Sequence, residues 1–362
     1  MCFIAVMGHR GGHDQGVTRT SVLGFEQIHD QWQPLRLLAA FIRKDRLPHA
    51  LAFTGVDGVG KSSTALALAR VGNCERLTAA AGHGADDASL PTGTLPVACG
   101  ACRPCRGIES GNHPDVIRID PIGTIIRIDQ IRRLIDTLAK KPYGRGLRVA
   151  IIAGAHAMNP EAGNALLKML EEPPAGTTLI LTAPQMTDLL PTIVSRCQHI
   201  RFRPLTTATL EALLTQKEGI EPTAAAIVAR MAGGSYTRAV AMYQDSWIAR
   251  RDWIVGEISA LEAQTTVERM ALAEQLAALK GSLPDALACI LHFYRDLLVW
   301  HYDPGKIINR DLDKVIAQAA RGLGVGTLIK RIRATQEALK SLMGNANPRL
   351  TMETLLLQLD AV

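Results

Sequence analysis

Residues 55–62 have the sequence GVDGVGKS. They match G-x-x-x-x-G-K-[ST], the pattern of a phosphate-binding P-loop. The apolar run at 51–54 predicts a buried strand before the loop, and the Ala- and Leu-rich run at 64–70 predicts a helix after it. Strand, glycine-rich loop and helix are the context that the motif needs. They favour a nucleotide-binding α/β fold over an ordinary glycine turn before a helix.

The chemistry of such a loop assigns roles to its residues. The glycines let backbone N–H groups face phosphate oxygens, and the N-terminus of the following helix adds a partial positive charge. Lys61 is expected to reach the β- and γ-phosphates, and the Ser62 hydroxyl is expected to bind Mg²⁺. The residues predicted to bind nucleotide here are Gly55, Gly58, Gly60, Lys61, Ser62 and Ser63.

The composition is that of a soluble globular protein, since 47% of the 362 residues are hydrophobic and 20% are charged. The length suits two or three domains. A net charge of +6 permits contact with an anionic partner such as DNA. An aromatic share of 4% argues against stacking platforms for single-stranded nucleic acid.

The sequence also bears on location. No apolar run approaches the ~20 residues of a membrane span, and the first residues lack the length and the basic lead of a signal-peptide core. Seven cysteines without a secretory signal favour a reducing compartment, and hence metal ligands or free thiols over disulfides. We therefore expect a cytoplasmic protein without membrane contact.

The periodicity of apolar residues predicts three domains. Residues 1–22 have no periodicity and are predicted to be a disordered extension. Between 23 and 205, predicted strands alternate with helices, which is typical of an α/β domain with a parallel five-stranded sheet. Only helical patterns follow, in a small domain at 206–245 and an all-α C-terminal domain at 246–362. The Ala-, Gly- and Asp-rich stretch at 75–96 is predicted to be a mobile insertion. The predicted strands are 51–54, 115–119, 147–153, 178–182 and 198–202.

A cysteine cluster follows the P-loop helix. Cys99, Cys102 and Cys105 have the spacing C-x-x-C-x-x-C, and Cys74 lies upstream. Four thiolates are the tetrahedral ligand set of a structural Zn²⁺ site, which has no open position for catalysis. Free thiols and an iron–sulfur centre are the alternatives. The spacing favours a zinc module at about 74–105.

The third predicted strand lacks the acids of an efficient ATPase. In P-loop ATPases an acid after an apolar strand holds Mg²⁺, and a following glutamate often orients water. Ala153 and Gly154 stand at these positions, and neither ligates a metal or polarises water. Asp120 and Asp129 are candidate substitutes that nothing in the sequence places at the phosphates. The P-loop is therefore predicted to have poor hydrolytic equipment, and it either binds ATP with Mg²⁺ or is vestigial.

Two arginines have both a functional and an ordinary interpretation. Arg196 follows a short predicted helix, from which its planar guanidinium can project toward a γ-phosphate, but a surface arginine is usually a solvated charge. Arg238 lies just inside a helix that Ser235 can cap, from which it can reach back to a nucleotide. Taken alone, each residue favours the ordinary interpretation.

The combination of motifs is more specific. Four runs stand out: LPHA at 47–50, NHPD at 112–115, NALLKMLEEPP at 164–174 and LPTIVSRC at 190–197. With the P-loop and the cysteine module, they resemble the clamp-loader subunits of bacterial DNA polymerase III, within the AAA+ ATPases. The resemblance covers nearly all of the chain after about residue 23.

Within that family the chain is most similar to the delta-prime type. The missing acids, the NHPD run and the C-terminal run from 345 to 359 favour this type over tau/gamma. The resemblance implies a stator in a hetero-pentamer with gamma/tau and delta subunits, which loads a sliding clamp on primer-template DNA. The small helical domain would be the lid, and the C-terminal domain the collar through which the subunits assemble.

The resemblance also implies roles for single residues. Arg196 would be an arginine finger that completes the ATP site of the neighbouring subunit, and the four cysteines would hold zinc. Arg238 matches a sensor arginine of the second domain. The position of the first sensor falls on Thr182 or Ala183.

Two other functions remain as alternatives at this point. An ATP-hydrolysing motor subunit of the tau/gamma type would need the acids that are missing at the end of the third predicted strand. An unrelated P-loop kinase or GTPase would need a substrate-binding lid or a base-specificity motif, and the sequence contains neither.

Overall fold

Five strands form one parallel sheet, as the alternating pattern predicts. A computed structural model describes residues 24–44, 46–77, 96–144, 146–279 and 283–360. The strands are β1 (Ala50–Thr54), β2 (Val116–Ile119), β3 (Arg148–Ile152), β4 (Thr177–Ala183) and β5 (Gln198–Arg201). Their order in the sheet is β2-β3-β4-β1-β5, and every neighbouring pair is parallel. The predicted extension at 1–22 and most of the predicted insertion at 75–96 lie outside the described residues.

Burial explains why these runs become strands. Every residue of β1, β3 and β4 is buried, because helices cover both faces of a sheet whose parallel strands need crossover connections. Apolar side chains of the helix at 128–138, among them Ile131, Leu134 and Leu138, pack with β-strand residues such as Ala150 and Leu179 in one core. The predicted fold class is therefore confirmed.

The helices divide between two compact units. The first unit contains the sheet, with chain up to residue 55 and from 60 to 202, and the second contains residues 56–59 and the chain from 203 onward. The division of the second unit into domains at 206–245 and 246–362 stays a prediction. The helices of the first unit are α1 (Trp32–Arg43), α2 (Lys61–Asn73), α3 (Arg103–Glu109), α4 (Ile128–Leu138), α5 (Pro160–Glu171) and α6 (Pro191–Val194).

The second unit is all-helical over its described residues from 203 onward, as predicted. Its α-helices are α7 (Thr207–Glu218), α8 (Pro222–Met231), α9 (Tyr236–Gln244), α10 (Trp247–Ser259), α11 (Thr266–Ala277), α12 (Leu283–Trp300), α13 (Asp313–Gly322), α14 (Val325–Met343) and α15 (Pro348–Asp360). Short 3-10 helices lie at Phe25–Gln27, Ala155–Ala157, Met186–Asp188, Leu261–Ala263, Pro304–Lys306 and Arg310–Leu312. Within the ranges that the structure covers, no helix has the length and apolarity to cross a bilayer.

A buried polar network fixes the helical unit. Arg251 on α10 is 1% exposed, and it donates to Asp252 at 2.7 Å and to Asn309 at 3.3 Å, and pairs with Asp311. Asp296 on α12, also buried, accepts 2.8 Å hydrogen bonds from the backbone and side-chain nitrogens of Asn309. Because buried charges are costly unless they are paired, this network fixes the segment around residue 309 against α10 and α12.

A second buried ion pair fixes the far edge of the sheet unit. Asp115, which precedes β2, accepts hydrogen bonds from the backbone of Tyr143 at 3.0 Å and Gly144 at 2.8 Å. Arg148 on β3 lies 3.4 Å from the same carboxylate, and it donates to the carbonyl oxygens of Leu138 and Lys140 at 2.8 Å each. The aspartate of the NHPD run therefore joins the start of β2 to the connection between α4 and β3.

The surroundings of Asp115 set its titration. Burial raises the pKa of the carboxyl, but the two backbone N–H groups and Arg148 lower it by more, and the net pKa lies below its ordinary value. A carboxyl of this kind stabilises the fold above its unfolded pKa of about 3.9. That stabilisation is lost as the pH falls through the lower pKa of the folded state.

We expect Asp115→Asn to lower the free energy of unfolding of the sheet unit by about 3 kcal/mol at pH 7, because it leaves the buried Arg148 charge without its counter-ion. Urea denaturation followed by circular dichroism measures this loss. The difference from the wild-type chain should shrink as the pH falls below about 4.

Asp136→Asn is the matched control, since Asp136 is exposed on α4. It should change the free energy of unfolding by less than about 0.5 kcal/mol. Equal effects of the two substitutions, or a loss at Asp115 that is independent of pH, would contradict the role of the buried pair.

Candidate functional site

The P-loop has the backbone that its motif predicts. Gly55, Gly58 and Gly60 have φ of 148°, 76° and 101°, values that favour glycine. A Cβ at position 55 would meet the Phe202 carbonyl oxygen at 2.6 Å. The loop joins the buried β1 to α2, so the first turn of α2 begins where the phosphate-binding backbone ends.

The side chains of the loop are held close to the backbone. Lys61 is buried and donates to the carbonyl oxygen of Gly55, at the other end of the loop. The Thr64 hydroxyl donates to the Gly60 carbonyl oxygen at 2.8 Å. Ser62 and Ser63 are half-buried in the first turn of α2. The lysine that the motif assigns to phosphates is thus paired with the loop itself in this structure.

The end of β3 offers no carboxylate. Gly154 follows the strand with φ of 64°, in the left-handed region, and its N–H donates to the Thr182 hydroxyl at 3.0 Å. Thr182 is buried on β4, and Ala183 after it has no polar side-chain atom. Of the two candidate positions for a first sensor, Thr182 therefore has a hydroxyl that already accepts a hydrogen bond.

The two acids considered as substitutes lie on other elements. Asp120 follows the edge strand β2 and pairs with Arg118 at 2.7 Å. Asp129 lies in the first turn of α4, where a carboxylate favours the N-terminus of the helix. Neither residue follows β1, which leads into the P-loop, or its sheet neighbours β4 and β5.

Arg196 lies between α6 and β5, half exposed at the surface of the sheet unit. Its guanidinium pairs with Glu171, the last residue of α5, at 2.5 Å. It also donates to the carbonyl oxygen of Thr192 at 3.0 Å and to the Ser195 hydroxyl at 3.2 Å. The side chain therefore has three acceptors within the sheet unit.

The cysteine that follows has a structural environment. Burial raises the pKa of the Cys197 thiol to about 11, so the thiol is neutral at pH 7 and a poor nucleophile. The SRC run thus joins an exposed, hydrogen-bonded arginine to an inert thiol that packs near the sheet.

The four predicted cysteines converge. Their sulfur atoms all lie within 4.8 Å of one another, although about two dozen residues separate Cys74 from Cys99. Cys74 follows the end of α2, and Cys102 and Cys105 lie at the start of α3. A tetrahedral zinc with bonds of about 2.3 Å places its sulfurs about 3.8 Å apart, so the donor set fits the ion.

Two thiols of the cluster have opposite pKa shifts. The pKa of Cys99 is lowered to about 6, chiefly by backbone N–H groups of Cys102 and Ala101. By contrast, burial raises the pKa of Cys105 to about 12 in the absence of an ion. A buried thiol of this kind becomes a thiolate only beside a cation, which is what a bound metal provides.

The predicted sensor arginine belongs to the helical unit. The Ser235 hydroxyl accepts from the Arg238 backbone N–H at 3.2 Å and so caps α9 as predicted. The Arg238 guanidinium pairs with Asp285 on α12 at 3.1 Å, with both side chains about half exposed. This pair joins two helices that are nearly fifty residues apart in the chain.

Sequence reasoning missed the acids that hold the two arginines. Glu171 lies inside the LLKMLEEPP run, and nothing in the run distinguishes it from Glu172. Asp285 is one acid in a long helix without a motif. Both acids are far from their arginines along the chain, so no local pattern pairs them. Their position at a helix end was the one feature of the sequence that could have singled them out.

Comparisons with known proteins give a consistent result. A family model described as "DNA polymerase III, delta subunit" matches residues 30–206, and one described as "DNA polymerase III, delta subunit, C terminal" matches residues 244–361. The chain is 32% identical over 330 residues to DNA polymerase III subunit delta' of Bacillus subtilis, which covers 90% of this chain and 95% of that protein.

Two further relatives match over shorter stretches. DNA polymerase III subunit delta' of Pseudomonas aeruginosa is 38% identical over 151 residues, 41% of each chain. DNA polymerase III subunit tau of Salmonella typhimurium is 32% identical over 240 residues, which is 65% of this chain but only 34% of that protein. The match to the Bacillus subtilis delta' subunit thus spans nearly all of both chains, whereas this tau match covers about a third of the relative.

Proposed function

Since the chain belongs to the delta' family of DNA polymerase III clamp-loader subunits, we propose that it acts as the stator of a clamp loader. In this role it assembles with gamma/tau and delta subunits into a hetero-pentamer. The complex loads a sliding clamp on primer-template DNA, and this chain contributes a fixed AAA+-type unit with little ATPase of its own.

The end of β3 is the observation that carries this proposal. A motor subunit needs a carboxylate there to hold Mg²⁺, and here Ala153 is followed by Gly154, whose N–H is bonded to Thr182. The P-loop retains residues that suit ATP with Mg²⁺: the backbone of Gly55, Gly58 and Gly60, and the side chains of Lys61, Ser62 and Ser63. Arg238, which pairs with Asp285 in the second unit, is kept as a candidate nucleotide ligand. Without the acid, a nucleotide bound at this P-loop would stabilise the conformation of the subunit and would be hydrolysed slowly.

The alternative is a motor subunit of the tau/gamma type, and the isolated chain tests it. We expect the purified protein to hydrolyse ATP no faster than its Lys61→Ala variant, because Ala153 and Gly154 at the end of β3 cannot hold Mg²⁺. A colorimetric phosphate assay measures both rates. Turnover that depends on Lys61 and equals that of a complete loader would favour the motor alternative.

Arg196 is proposed as the catalytic residue of this chain, acting in trans on the ATP of a neighbouring subunit. Its guanidinium is planar, permanently charged and held at the surface, which are the properties that an arginine finger needs. Such fingers raise hydrolysis by ~10³–10⁵-fold.

We expect Arg196→Ala to leave assembly of the loader intact. At the ATP site that Arg196 completes, the substitution should reduce the rate of hydrolysis by about 10³-fold. The measurement is the DNA- and clamp-stimulated ATPase rate of the assembled complex. This rate should fall by the contribution of that one ATP site. Gel filtration checks assembly. Arg43→Ala, at an exposed arginine ending α1, is the control and should be without effect. Unchanged ATPase of the Arg196→Ala complex would exclude the role in trans.

The four-cysteine cluster is proposed to hold one structural Zn²⁺ through Cys74, Cys99, Cys102 and Cys105. The convergence of the sulfurs and the two buried ligands support this. A closed set of four thiolates leaves no coordination position for substrate, so the ion would join the end of α2 to the start of α3.

We expect freshly purified protein to contain close to one zinc per chain, because four thiolates around one point bind this ion tightly. Plasma emission spectrometry measures the content. Cys102→Ser should lose most of the metal, whereas Cys197→Ser, outside the cluster, should retain it. Less than about half an equivalent in the wild-type chain would count against the site.

A further inference from the structure

The ion pair between Arg196 and Glu171 joins two segments that are 25 residues apart. Glu171 is the last residue of α5, and Arg196 lies just beyond α6. The Arg196 guanidinium donates to the Glu171 carboxylate, and the two side chains form an ion pair. The pair is therefore a specific contact between the LLKMLEEPP run and the SRC run.

Close packing of the two helices brings these residues together. A Cβ on Gly163 of α5 would lie 2.6 Å from the Leu190 side chain, at the start of α6. Ile193 on α6 is fully buried in the same core as Leu166 and Leu170 of α5. Because the apolar faces fix how α6 lies against α5, the end of α5 is fixed relative to Arg196.

The hydrogen bonds leave the arginine able to bind a further anion. A guanidinium has five N–H donors, and Arg196 uses its two terminal nitrogens on Glu171, the Thr192 carbonyl oxygen and the Ser195 hydroxyl. Two donors are therefore not engaged by these three acceptors. A phosphate oxygen can accept from them while the existing contacts persist.

Stability gives little reason for the pair. The Arg196 and Glu171 side chains are 35% and 49% exposed, and an exposed ion pair adds little to folding because solvent screens it. Orientation is a better explanation. A long, flexible side chain that is already held in one direction loses less conformational freedom when it binds a ligand. Pre-organised groups therefore cost less to align in a transition state.

We propose that Glu171 is a positioning residue for Arg196: its carboxylate holds the guanidinium in the direction from which it contacts a phosphate of the neighbouring subunit. This inference rests on the proposed role of Arg196 in trans. When a neighbour covers the site and excludes water, the pair strengthens because screening falls. Glu171 itself touches no nucleotide in this arrangement.

The chain provides a matched control next to Glu171. Glu172 is exposed, and among the residues that the structure covers its side chain makes no ion pair. The backbone N–H of Glu172 bonds to Lys168, so the local helix end is the same for either substitution. A substitution at 172 therefore changes the charge of the region but leaves Arg196 paired.

The test uses the assembled loader with Glu171→Ala, Glu171→Gln or Glu172→Ala in this subunit. We expect Glu171→Ala to lower kcat of the DNA- and clamp-stimulated ATPase at the affected site by about 3- to 10-fold, with KM for ATP changed by less than about twofold. Glu171→Gln, which keeps an acceptor oxygen without the charge, should fall between Ala and wild type. Glu172→Ala should match wild type.

A double-mutant cycle separates positioning from a structural effect. In the Arg196→Ala background, Glu171→Ala should cause no further loss. A loss that persists there, unchanged kcat of the Glu171→Ala complex, or a rise in kcat would each overturn the positioning role. If Arg196→Ala alone leaves the activity intact, the role of Arg196 in trans fails, and the positioning role fails with it. A loss at Arg196 without one at Glu171 overturns positioning only.

Discussion

Complete burial of β1, β3 and β4 is the constraint on which the sheet unit depends. Each strand must pair all of its backbone groups with its neighbours, because no water reaches them. In a parallel sheet this pairing brings the carboxyl ends of the strands to one edge. The P-loop, Gly154 and Thr182 therefore lie at neighbouring strand ends although more than 120 residues separate the first from the last. This edge is the proposed nucleotide site, and Ala153 and Gly154 stand after β3 where a carboxylate would be needed.

The charged residues of the chain have two kinds of environment. Arg148 and Arg251 are 5% and 1% exposed, and each has several acceptors. Removing a partner there leaves an uncompensated charge in a medium of low dielectric constant, so these pairs fix the architecture. Arg196 and Arg238 are about one-third and two-fifths exposed, and each pairs with one acid on another helix. Solvent screens these pairs, so each adds little to the stability of the fold.

This difference connects the structure with the proposed function. A stator gains from a rigid unit that holds a neighbour's ATP site in place, and the buried networks supply that rigidity. A finger in trans would also need a cation that is oriented yet able to meet an anion, and Arg196, paired with Glu171, is the proposed candidate. The lysine of the P-loop, by contrast, is buried and bonded to Gly55. Under the proposed function, the catalytic contribution of this subunit comes from Arg196 and not from its own P-loop.

Local patterns were enough to predict much of the molecule. The P-loop, the helix after it and the five strands follow from short-range periodicity and glycine placement, because burial of an apolar run and positive φ are local properties. The cysteine cluster followed from its spacing, and the absence of acids at 153 and 154 was visible in the letters alone. What only the tertiary structure decided were contacts between distant segments: Asp115 beside Arg148, and Glu171 rather than Glu172 beside Arg196. Their geometry depends on how helices and strands pack, and packing is a property of the whole core that no short stretch of sequence contains.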